Sequence, residues 1–271
     1  MYIDPYGFKA LKYSLFDYFA KERFNTVELL VNMNSFGFIR EACSVLGASF
    51  SDIAIFEDLV EYEPSKMDNS DKSIKELNDI AGGKYWQTII QEYKMQKING
   101  YEAESLFVQQ YCMRLTKKYK YVLNMPLRIK RNQRPKYRLI HVTNHPSACL
   151  LMVDNICNRW QVLQEIQTGR QQQLFEEDYN NCIVDSDETK KMVTRHFSEC
   201  SDWINLSEAL AMFFIKHGPI CKTGKIKEML KQLEKQQRLD VRREPSKTTK
   251  GEPTSFMSES PKKSVHVRWC Q

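Results

Sequence analysis

The sequence predicts a mixed α/β protein in two parts: a portion of a parallel β-sheet with its helices, and a smaller C-terminal module. Three observations support this class. The apolar run VELLVNM at 27–33 lacks alternation and is typical of a strand buried on both faces of a parallel sheet. Two later strand-like runs are separated by a short basic spacer, which predicts an antiparallel hairpin. Residues 187–271 contain three helical stretches followed by two short strands.

The first elements surround a tight turn. A strand of two residues is expected at 2–3, and the stretch DPYG at 4–7 predicts the turn that leaves its carboxyl end. A helix is expected from Phe8 to about Lys21, because apolar residues recur there at helical spacing. The buried strand at 27–33 comes next.

The predicted hairpin consists of KYVLNMPLRI and KYRLIHVTN around the spacer KRNQRP. A helix follows it, and Pro146 suits the first turn of that helix. The polar stretch 166–186, which includes a run of glutamines, predicts a linker. The expected domains are therefore 1–165 and 187–271.

The C-terminal module has the layout of a winged helix-turn-helix. Helices are expected at about 187–200, 205–218 and 222–237. The strands LDVRR and VHVRW then enclose a loop at 245–263 that is rich in serine, threonine, lysine and proline. Three helices followed by a hairpin with a basic loop define this type of module.

Charge and composition indicate the kind of partner. The net charge is +6, and residues 216–271 hold 14 lysines and arginines against 6 acids. This asymmetry favours a polyanion, DNA or RNA, as the partner. No apolar run approaches the ~18 residues of a membrane span, so we expect no membrane partner and a cytoplasmic location. The eight cysteines form no C-x-x-C pair, so no metal site is expected.

The turn DPYG is the candidate for chemistry. In doubly wound folds, ligands bind beyond the carboxyl ends of the parallel strands. There Asp4 and the carbonyl of Pro5 can accept hydrogen bonds from an exocyclic amine, while Tyr6 stacks on a flipped base. Asp4, Pro5 and Tyr6 are thus the candidate catalytic residues. The alternative is a tight turn in which the aspartate only caps the next helix.

Basic residues occur where nucleic acid could be bound. Arg128, Lys130 and Arg131 lie at the predicted hairpin tip, within a basic set that extends to Arg138, and they could grip a phosphate backbone or belong to a solvated turn. In the C-terminal module, the expected phosphate contacts are the recognition-helix and wing residues Lys222, Lys225, Arg242, Arg243, Lys247 and Lys250. The alternative is that the module docks on a protein.

The order strand, DPYG turn, helix, buried strand, helix and antiparallel hairpin is that of the second half of class I methyltransferases, which use S-adenosylmethionine. The chain also resembles the three-Cys-motif partner proteins. The resemblance rests on IDPYG at 3–7, VELLVNM at 27–33, YRLIHVTNHPSACLLMVDNI at 137–156 and the stretch LFEEDY. These bacterial and mobile-element proteins join a methyltransferase-like domain to a C-terminal winged helix. They are encoded beside a radical-SAM-like protein with three cysteines.

The chain departs from this family at its start. Family members carry a glycine-rich turn for S-adenosylmethionine before the IDPYG strand, and no G-x-G-x-x-G occurs here. The resemblance therefore implies an N-terminally truncated form, with S-adenosylmethionine bound by the full-length form and no cofactor expected for this chain. Truncation would also leave the strand at 27–33 with an unpaired edge and an uncovered apolar face.

Two functions remain open, and with them whether the chain is an enzyme. It is either part of a nucleic-acid methyltransferase that is inactive alone, or a non-catalytic partner that recruits DNA or the three-Cys-motif protein. Methyltransferase activity would need the missing cofactor-binding half.

Overall fold

The computed structural model describes residues 1–3, 11–21, 24, 26–49, 70–127, 137–167 and 184–270. The chain is mixed α/β, as predicted, and divides into two compact units, Met1–Asn144 and His145–Gln271.

The first unit contains a four-stranded sheet and five helices among its described residues. In chain order, they are β1 (Tyr2–Ile3), α1 (Ser14–Ala20), β2 (Glu28–Met33), α2 (Ser35–Val45), α3 (Asp71–Ala81), α4 (Tyr85–Lys94), α5 (Gly100–Leu115), β3 (Tyr121–Leu127) and β4 (Tyr137–Thr143).

The sheet of the first unit has the strand order β1-β2-β4-β3. β1 pairs with β2 in parallel, whereas β4 runs antiparallel to both of its neighbours. β3 therefore runs in the same direction as β1 and β2, and the last strand in chain order is the reversed one. The two predicted N-terminal strands and the predicted hairpin are confirmed.

The expectation that β2 has an unpaired edge holds only in part. On one edge, β1 pairs with two of the six residues of β2, Tyr2 opposite Leu30 and Ile3 opposite Val31, while β4 pairs along all of β2 on the other edge. The burial of β2 also alternates: Leu29 and Val31 lie in the core, while Leu30 is half-buried. The short strand at 2–3 thus supplies part of the pairing that the sequence prediction had assigned to absent strands.

The first helix is shorter than predicted. α1 begins at Ser14, and the described residues Leu11 and Lys12 are not helical. The backbone N–H of Tyr13 instead donates to the carbonyl of Asp79 at 2.8 Å, which ties the start of α1 to α3. Residues 8–10, where the helix was expected to begin, lie outside the described residues.

Aromatic side chains form much of the core of the first unit. Phe38 on α2 stacks on Phe107 of α5 with ring centroids 4.1 Å apart, and Trp86 on α4 meets Phe38 edge-on. All three side chains are buried. Such pairs add about 0.5–1.5 kcal/mol each beyond the burial of apolar area, so they hold α2, α4 and α5 together.

The second unit begins with a long helix. Its elements are α6 (Pro146–Gln167), α7 (Ser186–Ser198), β5 (Ile204–Asn205), α8 (Leu206–His217), α9 (Thr223–Lys235), β6 (Leu239–Glu244) and β7 (Ser264–Trp269). The three strands form an antiparallel sheet in the order β5-β7-β6.

The placement of α6 differs from the sequence prediction, which assigned this helix to the domain 1–165. In the structure α6 packs against α8 and α9. Its Asp154 carboxylate accepts hydrogen bonds from the backbone N–H and the hydroxyl of Thr223, at 2.8 and 2.7 Å. This carboxylate satisfies the otherwise uncapped N-terminus of α9. Residues 168–183, most of the predicted linker, lie outside the described residues.

Two histidines face each other between α7 and α8. The rings of His196 and His217 have centroids 6.0 Å apart, and both pack on Phe213. Burial lowers the pKa of His196, and the nearby His217 and Lys216 lower it further, against weaker opposition from the Ala209 backbone and Glu199. Burial and Lys216 likewise lower the pKa of His217, with Glu199 opposing and Arg195 adding to the effect.

We expect acid to destabilise the chain through this pair. An unfolded histidine has a pKa of about 6.5, and the folded-state pKa values of His196 and His217 lie below it. At pH values between the folded and the unfolded pKa, the unfolded chain binds more protons than the folded chain. The free energy of unfolding therefore falls as the pH falls. The melting temperature of the full chain should therefore drop as pH decreases below about 6.5. The drop should be smaller for the H196Q/H217Q variant, measured relative to its own melting temperature at alkaline pH. An identical pH dependence in both proteins would contradict this.

Candidate nucleic-acid interface

Helix α9 buries one face and exposes the opposite one. The apolar face comprises Ile226, Met229, Leu230 and Leu233, all buried as the spacing predicted. On the opposite side Lys231 and Lys235 are exposed. Their spacing of four residues places both ammonium groups on one solvent face of the helix.

The two lysines predicted from the start of α9 are less accessible. Lys222 is the N-cap residue and is half-buried. Lys225 is also half-buried, and its Nζ is buried without a hydrogen-bond partner among the residues that the structure describes. Lys231 and Lys235, which the sequence also placed on the faces of this helix away from the apolar stripe as lysines for phosphates, present their charge to solvent.

The loop 245–263 is an ordered structure with a hairpin at its tip. The backbone N–H of Thr248 donates to the Glu252 carbonyl at 2.7 Å, and that of Thr254 donates to the Ser246 carbonyl at 3.0 Å. Gly251 closes the turn at φ 82°, a conformation that favours glycine. Lys247 and Lys250 lie on this tip and are exposed, so the structure places them where phosphates could approach.

The Glu259 carboxylate fixes the second half of the loop. It accepts hydrogen bonds from the Asn205 side-chain amide at 2.6 Å, from the backbone N–H and hydroxyl of Ser207, and from the Val265 backbone at 3.0 Å. Two of these donors belong to the first turn of α8. A carboxylate is favourable at a helix N-terminus because the helix dipole and the free N–H groups both attract it.

Arg243 holds the loop from the other side. Its guanidinium binds both carboxylate oxygens of Glu234 on α9, at 2.7 and 2.6 Å, and its Nε donates to the Phe256 carbonyl at 2.8 Å. The Arg243 side chain is only 9% exposed. The predicted role of Arg243 as a phosphate contact therefore gains no support, because its donors are occupied within the fold.

Arg242 lies on the opposite face of the same strand. Its guanidinium carbon is 4.6 Å from the centre of the Trp203 ring, and that of Arg268 is 4.7 Å from the same ring. Arg268 also forms an ion pair with Asp240 at 2.7 Å. Hydrogen bonds from Arg268 and then Cys270 lower the pKa of the Asp240 carboxyl.

The predicted contacts of the second unit thus fall into four places. They are the start of α9 (Lys222 and Lys225), the loop tip (Lys247 and Lys250), the α9-facing side of the sheet (Arg243) and its other side (Arg242). The sequence prediction had named all six as phosphate contacts of the helix and the wing. Consecutive residues of a strand point to opposite faces, so Arg242 and Arg243 cannot serve the same surface.

The candidate residues of the first unit lie outside the described residues: Asp4, Pro5, Tyr6, Arg128, Lys130 and Arg131. The described strand ends next to these residues lie at the same end of the sheet, where the strands terminate. Met33 of β2 lies opposite Arg138 of β4, and Arg138 lies opposite Pro126 of β3. β1, β2 and β3 all terminate at this end, and β4 begins there.

A buried ion pair stands at the same end of the sheet. Arg138 donates to both oxygens of Glu104 on α5, at 2.9 and 2.7 Å, and the Ser35 hydroxyl also donates to Glu104. Glu104 is 1% exposed. Arg138, named with the basic spacer in the sequence prediction, is therefore engaged inside the protein.

The described residues offer little for metal or thiol chemistry. No group of histidine, cysteine and acidic side chains suited to a metal ion occurs in the ranges that the structure describes. Burial raises the pKa of Cys43 and Cys149 to about 12, so these thiols stay protonated at neutral pH. Within the same ranges, no helix has both the length and the hydrophobicity that crossing a membrane requires.

The chain matches no protein-family model, no curated protein and no solved structure.

We expect the two adjacent arginines of β6 to differ in their effect on stability. Arg243→Ala leaves Glu234 without its partner and frees the loop, so it should cost about 2–3 kcal/mol. This lies below the range for fully buried pairs, because the Glu234 side chain is 30% exposed. Arg242→Ala removes only an exposed cation–aromatic contact and should cost about 0.5–1 kcal/mol.

Urea unfolding of the full chain measures both values. Arg242→Ala serves as the matched control, since it removes the same side chain one residue away. Equal losses in the two variants would mean that Arg243 does not anchor the loop.

Proposed function

We propose that the second unit is a winged helix-turn-helix module that binds nucleic acid through the exposed face of α9 and the tip of the loop 245–263. The element order supports this: α7, β5, α8 and α9 are followed by the antiparallel strands β6 and β7 around a long loop. In such modules, the third helix and the loop between the last two strands approach the duplex.

The exposed tip of the anchored loop carries the proposal. Lys247 and Lys250 are exposed on a hairpin whose base is held by Arg243 and Glu259. Because the base is fixed, little conformational freedom is lost when the tip meets a phosphate. Flexible lysines contact phosphates without reading base edges, so the binding should be weakly sequence-specific.

The charge balance of this surface favours a polyanion. Lys231 and Lys235 are exposed on α9, and Lys262 and Lys263 are exposed further along the loop. The exposed acids Glu228 and Glu252 lie among them and reduce the field. The excess is positive, and the release of counterions from the phosphates then drives binding.

For the first unit, we propose the C-terminal half of a class I methyltransferase-like sheet. The reversed last strand β4, in a sheet whose other strands are parallel, supports this assignment. In this proposal, a base amine binds to Asp4, Pro5 and Tyr6 beyond the end of β1. The phosphate backbone is held near the same end of the sheet by Arg128, Lys130 and Arg131. The proposal places the chain with the three-Cys-motif partner proteins.

The described residues do not fit S-adenosylmethionine. In a nucleotide-type site, a glycine-rich turn between a strand and a helix lets the backbone approach the ligand. Two described turns lead from a strand of this sheet into a helix. After β2 the chain runs directly from Met33 through Asn34 into Ser35, and the Asn34 side chain already accepts the Gly37 N–H. After β4 it passes through Asn144 and His145 to Pro146, again without a glycine. No methyl-transfer step is therefore derived for these residues.

A second candidate function is that of a non-catalytic partner that docks on a protein, the radical-SAM-like three-Cys-motif protein by family resemblance. The observation that favours it is exposed apolar surface in the second unit. Leu151 and Val162 on α6 are 61% and 44% exposed, and Met212 on α8 is 52% exposed. Exposed apolar side chains mark docking surfaces only where they form a contiguous patch.

Removal of the tip lysines should reduce the salt dependence of binding. A protein that neutralises phosphates shows a log–log salt slope of about −0.9 per phosphate. We expect K247A/K250A to reduce the magnitude of this slope by about two on a blunt DNA duplex, with the melting temperature unchanged. Fluorescence anisotropy of the full chain across a salt series measures the slope.

The matched control is K190A/K191A, which removes two exposed lysines from α7 and the same total charge. This control should keep the wild-type slope. Equal slopes for the tip variant and wild type, or no duplex binding at low salt, would overturn the proposed interface. Capture of the three-Cys-motif protein by the full chain, in the absence of DNA binding, would support the docking function instead.

We also expect the chain not to bind S-adenosylmethionine, because the described turns after β2 and β4 lack the glycines that the cofactor's approach requires. Isothermal titration calorimetry of the full chain should show no saturable heat. Saturable binding in the micromolar range would contradict this expectation and would place a cofactor site elsewhere in the chain.

A further inference from the structure

A second exposed surface of the C-terminal unit combines an indole ring with two guanidinium groups. Trp203 precedes β5, Arg268 lies on β7 and Arg242 lies on β6. Both arginines are within 4.7 Å of the Trp203 ring centre. We name these three residues the tryptophan face. They lie on the side of the sheet opposite to that of Arg243, which contacts α9.

We propose that the tryptophan face binds an unpaired nucleotide, with its base stacked on the planar groups and its phosphate held by Arg242. This inference rests on the proposed nucleic-acid-binding function. It assigns single-stranded nucleic acid to a surface that is separate from the surface proposed for the duplex.

Stacking is the first argument. Unpaired bases stack on aromatic rings and on guanidinium planes, and every base has a π-face to offer. Trp203 is half-buried, and the two arginines are its only ring or cation contacts among the described residues. The indole and the two guanidinium groups therefore lie together on a surface that is partly open to solvent.

The charges of this face are the second argument. Arg268 is already paired with Asp240, whereas Arg242 is exposed and forms no ion pair within the described ranges. Arg242 is thus the group available to a phosphate. Bound to a phosphate, its guanidinium can offer two parallel N–H donors.

The same charges exclude a duplex. Asp240 and Glu244 share this side of β6 with Arg242, because alternate residues of a strand point the same way. Two acids beside two arginines leave the face nearly neutral, and a neutral face gains little from the dense phosphates of a double helix. A single nucleotide needs one cation and a stacking platform, which this face provides.

The position of the face suits a strand that leaves the proposed duplex site. Arg242 lies on β6, which leads directly into the loop that carries Lys247. An extended chain covers about 3.3 Å per residue, so the five steps from Arg242 to Lys247 span at most about 17 Å. A junction between duplex and single strand can therefore contact both surfaces.

Three fluorescent probes test the inference with the full chain: a blunt duplex, the same duplex with an oligo-dT overhang, and free oligo-dT. We expect the overhang to raise the affinity of the wild-type protein about tenfold, the scale of one stacked base. Trp203→Ala and Arg242→Ala should abolish this gain and leave affinity for the blunt duplex unchanged. Trp203→Phe, which keeps a ring, should retain most of the gain.

Arg159→Ala is the charge-matched control, because Arg159 is an exposed arginine on α6. This variant should keep the whole gain. Thermal melts of each variant show whether the fold persists, and the phenylalanine variant keeps the test valid if the alanine variant unfolds.

The outcomes separate this inference from the proposed function. If free oligo-dT binds in a Trp203-dependent way while the blunt duplex does not bind, the duplex interface is overturned and the tryptophan face stands. If the duplex binds but the overhang adds no affinity, the tryptophan face is overturned alone. The tryptophan face is also overturned if Trp203→Ala lowers the affinity for the blunt duplex and for the overhang duplex equally, and Trp203→Phe lowers both affinities by as much. If no probe binds, both proposals fail.

Discussion

The second unit depends on how the loop 245–263 is held at its base. Two anchors do this from opposite directions: the Glu259 carboxylate on the first turn of α8, and the Arg243 guanidinium between Glu234 and the Phe256 carbonyl. Hydrogen bonds to charged groups contribute about 1.5–3 kcal/mol each, so these contacts offset part of the conformational entropy that a long ordered loop loses. The tip beyond them carries Lys247 and Lys250, which are exposed.

Several charged residues of this unit are engaged by partners within the fold. Arg243 forms an ion pair with Glu234, and Arg268 forms one with Asp240. Asp154 of α6 caps α9 through Thr223. The charged side chains that remain open to a ligand lie at the loop tip, on the outer face of α9 and on the tryptophan face. The positive balance of the tail is therefore less informative than the position of each charge.

Sequence reasoning succeeded where apolar residues form a clear local pattern. VELLVNM predicted β2, the two runs around the basic spacer predicted the hairpin of β3 and β4, and the spacing of Ile226, Met229, Leu230 and Leu233 predicted the buried face of α9. These patterns are formed by residues that are close along the chain. The two-residue strand β1 was also found, although its pairing along β2 was misjudged.

The sequence could not reveal which side each charge faces. Alternation along LDVRR places Arg242 and Arg243 on opposite faces of β6 but does not tell which face packs on α9. The partner Glu234, which settles this, is nine residues away along the chain. Trp203 was missed because its two arginines come from different strands. α6 belongs to the second unit because it packs on α8 and α9. One of these contacts, between Asp154 and Thr223, spans 69 residues, and no local pattern encodes it.

The central claim is that α9 and the tip of the loop 245–263 form a nucleic-acid interface. Hydrogen–deuterium exchange of the full chain, with and without a saturating blunt DNA duplex at low salt, tests it most directly. We expect the duplex to slow exchange in peptides that cover 222–237 and 245–255, because bound phosphates shield these backbone amides. Unchanged exchange in both segments, with the duplex shown to be bound, would contradict the account and place the interface elsewhere.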